Sequence, residues 1–380
     1  MMKMRKPRMA LLAFGIITLS FAAIAIAFAQ EMPKTAVPST NELRGLKDTV
    51  GFAVSAPEMN LAVKLSKEKE TKRLAENALK YGLKRGSHYI AGISPHDDYI
   101  YAGPVYIHLF PYIKARRVVI FGVSHYARNW HIENKLIFDS FKKWRSPYGT
   151  VPVSGLREEI LAKLPKDDYI VSNPMQAEEH SVEALVPWLH YFNRKVEIVP
   201  IVVPYMGWGR LDSLAADLSG VMADIIKAHH WKLGKDIAFL ISNDCSHYGD
   251  QLWGHDDLAP FGVGCEGLKK GTARDLSIAK ETLCGELTAD KAYSFYSRVL
   301  DPNDYHKYRV TWCGRFAVSF GTDALAHLMR NLGHKPLVGE FLRYGDSVEL
   351  GELDVRKVGL GVTAPANLHH WVGYVSIGYK

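Results

Sequence analysis

Three apolar runs in this chain end in residues able to hold a cation or move a proton. Ile93 is followed by "SPHDDY", which carries His96, and Val123 by "SHY", which carries His125. Ile241 is followed by "SNDCSHYG", where Asn243, Asp244, Cys245, Ser246 and His247 stand almost without a break. Burying such groups is costly unless each finds a partner. Imidazole offers a neutral nitrogen, cysteine a thiolate, and aspartate an acceptor that fixes a histidine tautomer, so together they suit a transition metal. Cys313 sits in "TWCGRF", a tight Cys-Gly turn opening a helical stretch, and a thiol near a helix N-terminus is more easily deprotonated. A single histidine after a strand is more often a hydrogen-bond partner than a ligand, and no pair here has the spacing of H-E-x-x-H. The case for a metal therefore rests on convergence in space.

The elements that must bring these residues together are strands and helices in alternation. The runs 87–94, 116–123, 195–203 and 236–242 are continuous and rich in Ile, Val and Phe, as strands buried on both faces of a parallel sheet are. Between them, 102–114, 181–193 and 209–230 read as helices, giving βαβ units with helices on both faces. Residues 134–153 read as an inserted hairpin, 271–300 as helical, 316–333 as a helix closed by Gly333, and 371–379 as a terminal strand. The mixed-charge stretch 64–86 reads as a solvated helix with Leu74, Ala78 and Leu79 turned inward. In open parallel sheets, ligands bind beyond the carboxyl ends of the strands. That edge would gather His96, His125, Asp244 and His247.

The chain of 380 residues opens with Lys3, Arg5, Lys6 and Arg8, then an apolar stretch from Met9 to about Phe28, then Ala27-Phe28-Ala29. This is the anatomy of a signal peptide over 1–29, so the expected location is periplasmic or secreted, with no membrane association after cleavage. Removing those four basic residues lowers the net charge from +7 to +3, and no later block concentrates Lys and Arg, so no nucleic-acid partner is expected. No linker or repeat divides the rest: residues 30–86 read as an N-terminal extension and 87–380 as one α/β domain. Of the four cysteines, Cys265 and Cys284 are a candidate disulfide pair.

The segments "ISPHDDYIYAGPV", "FGVSHY", "EEHSVEALVPWL", "ISNDCSHYG", "WCGRFAV" and "HHWVGYVSIGY", in that order, resemble the Memo-like family. That family is also known as protein B of the AmmeMemoRadiSam system and is related in fold to class III extradiol dioxygenases. The resemblance covers roughly 87–380. It implies a three-layer α/β/α sandwich with a mostly parallel central sheet and a site at its C-terminal edge. It places the metal ligands on His96, His125 and Cys313, and further site residues on Asp244, His247, Glu179, His180 and Ser181. In the dioxygenases a carboxylate completes the iron-binding set; in Memo-like proteins a cysteine stands there, as here. Asp97-Asp98 replace the Ala-Gly usual after "PH", and are expected to cap the next helix, add a ligand or attract a cationic substrate. Cys245, beside Asp244, is unlike many relatives and invites a disulfide with Cys313.

Three functions follow as expectations. The first is a metal-dependent redox or dioxygenase-like enzyme with an Fe or Cu ion on His96, His125 and Cys313. In it His247 or His180 serves as acid/base and Asp244 orients His247. The second is a non-catalytic protein that binds a small molecule or peptide in the same crevice. The third is a metal-assisted hydrolase with Glu179 or Asp244 as base. Met206, in "VPYMGWG", is a candidate axial ligand.

Overall fold

A computed structural model gives the fold and describes residues 37–250 and 258–380. The expected signal peptide, 1–29, lies outside the described residues. All the described residues belong to one compact unit, and no helix among them is long and apolar enough to cross a membrane.

Among the described residues the core is a sheet of ten strands. Its order runs Gly285–Glu286, Val338–Asp346, His370–Tyr379, Ala91–Ser94, Ile237–Ser242, Arg117–Val123, Glu197–Val203, Leu136–Phe138 and Tyr169–Val171, and Asp244–Gly249 pairs separately with His370–Tyr379. The four strands at its centre, from Ala91–Ser94 to Glu197–Val203, are parallel, in registers such as Ile93 opposite Ile241 and Ile120 opposite Leu240. Their buried Val, Ile and Phe residues are what strands covered on both faces require. The sheet as a whole is mixed, which corrects the expectation of a mostly parallel one. His370–Tyr379 runs antiparallel to three neighbours, and Leu136–Phe138 is antiparallel to Glu197–Val203. The closing segment is the physical reason: it re-enters the sheet as a long hairpin partner of Val338–Asp346, not through a helical crossover.

Helices cover both faces. The Phe121 side chain meets the Arg315–Leu332 helix at Gly321, whose Cβ, were there one, would lie 2.7 Å from Ile241 and 3.0 Å from Phe121. The next residue, Gly122, faces Val182 beside the Leu185–Phe192 helix. Successive strand residues point to opposite faces, so these helices belong to opposite layers of an α/β sandwich.

Several expected elements differ in detail. Only Ala91–Ser94 of 87–94 is strand. In 134–153, Leu136–Phe138 joins the central sheet, and the hairpin proper is Lys143–Ser146 with Gly149–Pro152. The stretch 271–300 is two helices, Gly264–Leu283 and Ala289–Val299, broken where Cys284 and Gly285 leave helical geometry. Leu79, expected inward, is 88% exposed, because the Thr71–Tyr81 helix buries none of its residues fully. Cys265 and Cys284 stand at opposite ends of the Gly264–Leu283 helix, roughly 28 Å apart at 1.5 Å per residue, far beyond disulfide reach. All four cysteines are free, so the Cys245–Cys313 disulfide is also absent.

The segment before residue 87 builds part of the core. Met59, Ala62 and Val63 of the Ala56–Lys69 helix are buried where that helix packs on Tyr99–Tyr106. Leu43–Arg44 adds a parallel strand beside Lys143–Ser146.

Candidate metal centre

His96 and His125 follow the ends of Ala91–Ser94 and Arg117–Val123, and Asp244 follows Ile237–Ser242, the strand between them, so the parallel register sets all three at one edge of the sheet. At Asn243 the chain leaves the parallel sheet and begins the Asp244–Gly249 strand, which pairs with His370–Tyr379 on one side. On the other side it meets the Cys313 segment: Ser246 bridges Trp312, the Cys313 N–H donates to the Asp244 carbonyl at 3.2 Å, and the His247 N–H donates to the Thr311 carbonyl at 3.2 Å. The residue after Cys313 must be glycine for this approach, since a Cβ on Gly314 would lie 2.3 Å from the Asn243 side-chain oxygen and 2.8 Å from its Cα.

Three expected ligands therefore converge. One donor atom from each of His96, His125 and Cys313 lies within 4.8 Å of the other two. His96 Nε2 is 3.2 Å from Cys313 Sγ and 3.3 Å from Asp244 Oδ2, and the His96 and His125 rings are 5.3 Å apart.

Hydrogen bonding fixes which ring nitrogens face the centre. The Ser242 hydroxyl donates to the Ser181 carbonyl at 2.9 Å, so toward His96 Nδ1, 2.8 Å away, it accepts. His96 thus carries its proton on Nδ1 and turns the Nε2 lone pair toward Cys313. His125 Nδ1 donates to Glu179 Oε1 at 2.8 Å, which leaves its Nε2 lone pair available as well. A ligand histidine whose far nitrogen is held by a carboxylate or hydroxyl is the usual arrangement at metal sites.

Glu179 is the most heavily bonded group here. Its carboxylate also accepts from the N–H groups of His125, His180 and Ser181, at 2.8, 2.9 and 2.9 Å. Burial alone would raise its pKa, but His125 and these N–H donors hold it at about 2, so it is ionised. Arg44 braces the segment from behind, pairing with Glu183 and donating to the Glu179 carbonyl at 2.5 Å.

The other groups are held neutral. Burial, with the neighbouring imidazoles, pushes His96 well below its ordinary value and brings His180 and His247 down to about 3. Burial, then the Asp97 charge, pushes Asp244 well up, while burial, then Asp244, does the same to the Cys313 thiol. Neutral imidazoles beside a thiol and a carboxyl whose charged forms are disfavoured make a donor set that a cation, in place of protons, would satisfy. The residues fit a metal of intermediate or soft character.

The remaining expected residues fall nearby in different roles. His180 stacks on His125 with ring centres 4.4 Å apart. Asp244 Oδ1 accepts from the His96 N–H at 2.9 Å, so this carboxyl braces the His96 loop as well as facing the centre. One donor atom from each of Asp244, His247 and Cys313 also lies within 4.8 Å of the others. Asp98 occupies the cap position of the Tyr99–Tyr106 helix but does not cap it. Its carboxyl is drawn away to the Thr363 N–H and hydroxyl, at 2.6 and 3.1 Å. Asp97 accepts from the Tyr374 hydroxyl at 2.6 Å. Met206, the candidate axial ligand, is wholly buried among apolar side chains.

Sequence reasoning missed Ser242 and Asp275. Asp275 accepts from the Ser246 hydroxyl at 2.6 Å, Trp312 Nε1 at 2.7 Å and the Tyr344 hydroxyl at 3.0 Å, and so ties the Asp244–Gly249 strand to the segment that carries Cys313. Its signal was positional: it shares a helix face with Gly271, Ile278, Ala279 and Thr282, all buried. Beside Cys313 and His125 an open cavity is lined also by Val203, Tyr205, Arg315 and Phe316.

A profile described as Memo-like protein matches residues 63–362. A "MEMO1 family protein" of Pyrobaculum arsenaticum is 32% identical over 172 residues, 43% of this chain and 56% of that protein. One of Aquifex aeolicus is 31% identical over 160 residues, 40% of this chain and 52% of that protein. One of Sulfolobus acidocaldarius is 27% identical over 281 residues, 70% of this chain and 81% of that protein. The chain spans about half the length of the first two relatives and about four fifths of the third.

Proposed function

This chain belongs to the Memo-like family, and from the geometry of its centre we infer that it is a metal-dependent redox protein acting on a small molecule. His96, His125 and Cys313 would hold an iron or copper ion, two imidazoles and a thiolate being a set that Cu(I) and Fe(II) accept. When bound, such an ion supplies one-electron and oxygen chemistry. The observation that carries this reading is the pair of imidazoles whose Nδ1 protons are tied to Ser242 and Glu179, so that both Nε2 lone pairs turn inward beside the Cys313 sulfur.

The chain's own groups would do the rest. The cavity beside Cys313 accommodates a small substrate, and Arg315 at its wall offers a cation to an anionic group. His180 and His247, uncharged at neutral pH, can accept a hydrogen bond from a substrate hydroxyl. Glu179 holds His125 in orientation. The basic and apolar start of the chain supports export to an oxidising compartment.

The test is total-metal analysis of protein purified under reducing conditions without a metal-binding tag, followed by oxygen uptake with catechols. We expect about one iron or copper per chain, as one three-donor set allows, and uptake that is lost in His96→Ala and Cys313→Ser. Protein that holds no metal and rebinds none would sink the proposal. If metal is lost in the His96→Ala, His125→Ala pair while ligand affinity survives, the crevice is a binding site and not a redox centre.

A further inference from the structure

We propose that a second divalent-cation site, built from Asp212, Asp323 and His327, lies between the Trp208–Ala228 and Arg315–Leu332 helices. Asp323 and His327 are four residues apart and share one face of their helix, and Asp212 stands in the first turns of the helix packed against it. One donor atom from each lies within 4.8 Å of the other two. His327 Nε2 is 2.8 Å from Asp212 Oδ1 and 3.7 Å from Asp323 Oδ2.

Asp323 points to a ligand. Its side chain has no solvent exposure, and among the described residues neither carboxyl oxygen receives a hydrogen bond from a donor group; its polar neighbours are the Asp212 carboxyl, a fellow acceptor with which it can share a proton, and His327 Nε2 at 3.7 Å. Buried carboxyls in folded proteins are almost always paired. Burial, followed by the charge of Asp212 and a hydrogen bond to it, raises its pKa to about 8. The site is reachable: the Asp212 side chain is 48% exposed and that of His327 16%.

Two carboxylates and one imidazole are harder donors than the His96, His125 and Cys313 set, and suit Mn²⁺ or Zn²⁺ better than Cu(I). Asp323 lies about 12 Å along the helix from Arg315, so the two sites are separate. In the present arrangement the Arg330 guanidinium donates to His327 Nδ1 at 3.3 Å, and Nε2 donates to Asp212. Loading moves the ring proton to Nδ1, and the exposed Arg330 turns to solvent.

The experiment titrates metal-free protein with Mn²⁺, followed by electron paramagnetic resonance, with Zn²⁺ calorimetry in parallel. Mn²⁺ should bind wild type and the His96→Ala, Cys313→Ser double variant with equal affinity. Binding should weaken at least about tenfold in Asp323→Asn and in Asp212→Asn, the loss expected when a ligand is removed. The half-exposed Asp212→Asn guards against misfolding of the buried variant, and circular dichroism checks both. Absence of Mn²⁺ binding to wild type would overturn the proposal. So would affinity unchanged in both aspartate variants, or binding lost only in the His96→Ala, Cys313→Ser protein.

Discussion

Two buried clusters in this protein contain the same kinds of residue and do opposite things with them. In the first, Glu70 lies between the N-terminal helices and the Val338–Asp346 strand. Its Oε2 accepts from His108 Nε2 and Arg343 Nε, both at 3.0 Å, and its Oε1 from Arg73 at 3.3 Å. His108 Nδ1 in turn accepts from the Asn77 amide at 2.9 Å, so the ring is neutral and donates through Nε2. Burial would raise Glu70, but the His108 hydrogen bond and the Arg343 charge hold it at about 2. Both oxygens of the Glu70 carboxylate are paired, and the cluster is closed. In the second, around His96, the bonded atoms are the ones facing away from the centre, and the atoms facing it are held uncharged. The difference lies in whether the bonds point inward or outward, not in residue type.

The largest expected effect tests the closed cluster. Glu70→Ala leaves buried Arg343 with only the half-exposed Glu349 carboxylate, 3.6 Å away, and breaking a buried pair on one side typically costs about 3–5 kcal/mol. Urea denaturation should show a loss of that size whether or not metal is present. Cys313→Ser, in metal-free protein, should stay within about 1 kcal/mol of wild type, since it removes no compensating charge. The pH dependence has a definite sign. Glu70 is depressed from its ordinary 4.5 to about 2, so its stabilisation is fully present above about 4.5 and fades as pH falls toward about 2. The gap in stability between wild type and Glu70→Gln should therefore narrow over that window. A gap that stays constant would mean that the cluster is not ion-paired as described.

Next in size is Glu179→Gln. The amide cannot accept four hydrogen bonds as the carboxylate does, and His125 loses the partner that fixes its tautomer. Iron or copper affinity, read by competition with a chelator, should fall about 10–100-fold, the usual result of removing a carboxylate behind a ligand histidine. Glu70→Ala should leave that affinity near wild type. If both variants weakened metal binding equally, the contrast between an open and a closed cluster would fail.

Much of the open cluster was legible in the sequence, because strand ends announce themselves. Apolar runs stopping at Ile93, Val123 and Ile241 place His96, His125 and Asp244 on one edge as soon as the strands are taken as parallel. Cys313 was marked by its Cys-Gly turn at a helix start, but its convergence with the histidines rested on the resemblance to the Memo-like family, since its approach depends on an antiparallel bridge between Trp312 and Ser246 that no local pattern encodes. The closed cluster was invisible: Glu70 reads as one charge among many on a solvated helix, and its partners His108 and Arg343 lie 38 and 273 residues away. The aspartates at 97 and 98 misled for a related reason. Helix-cap chemistry is local, and here the acceptors were taken by Thr363 and Tyr374 from distant segments. Mixed sheet direction escaped for the same cause, since residues 338–346 and 370–379 pair with each other through a long hairpin.

The smallest predicted effect asks whether outward bonds set the inward lone pairs. Ser242 has one hydroxyl proton and gives it to the Ser181 carbonyl, so its remaining role toward His96 is to accept from Nδ1. Ser242→Ala removes that acceptor and leaves a buried Nδ1–H without a partner, a loss of about 1 kcal/mol for a neutral hydrogen bond. The ring can recover part of this by moving its proton to Nε2, where Asp244 Oδ2 stands 3.3 Å away. That tautomer has no lone pair facing Cys313, so metal affinity should drop by about three- to tenfold. Nitrogen NMR of metal-free protein should show the His96 proton on Nδ1 in wild type and displaced toward Nε2 in the variant. A proton that stays on Nδ1 after the substitution would mean that another group aims this ring. The asymmetry between the two clusters would then need a different origin.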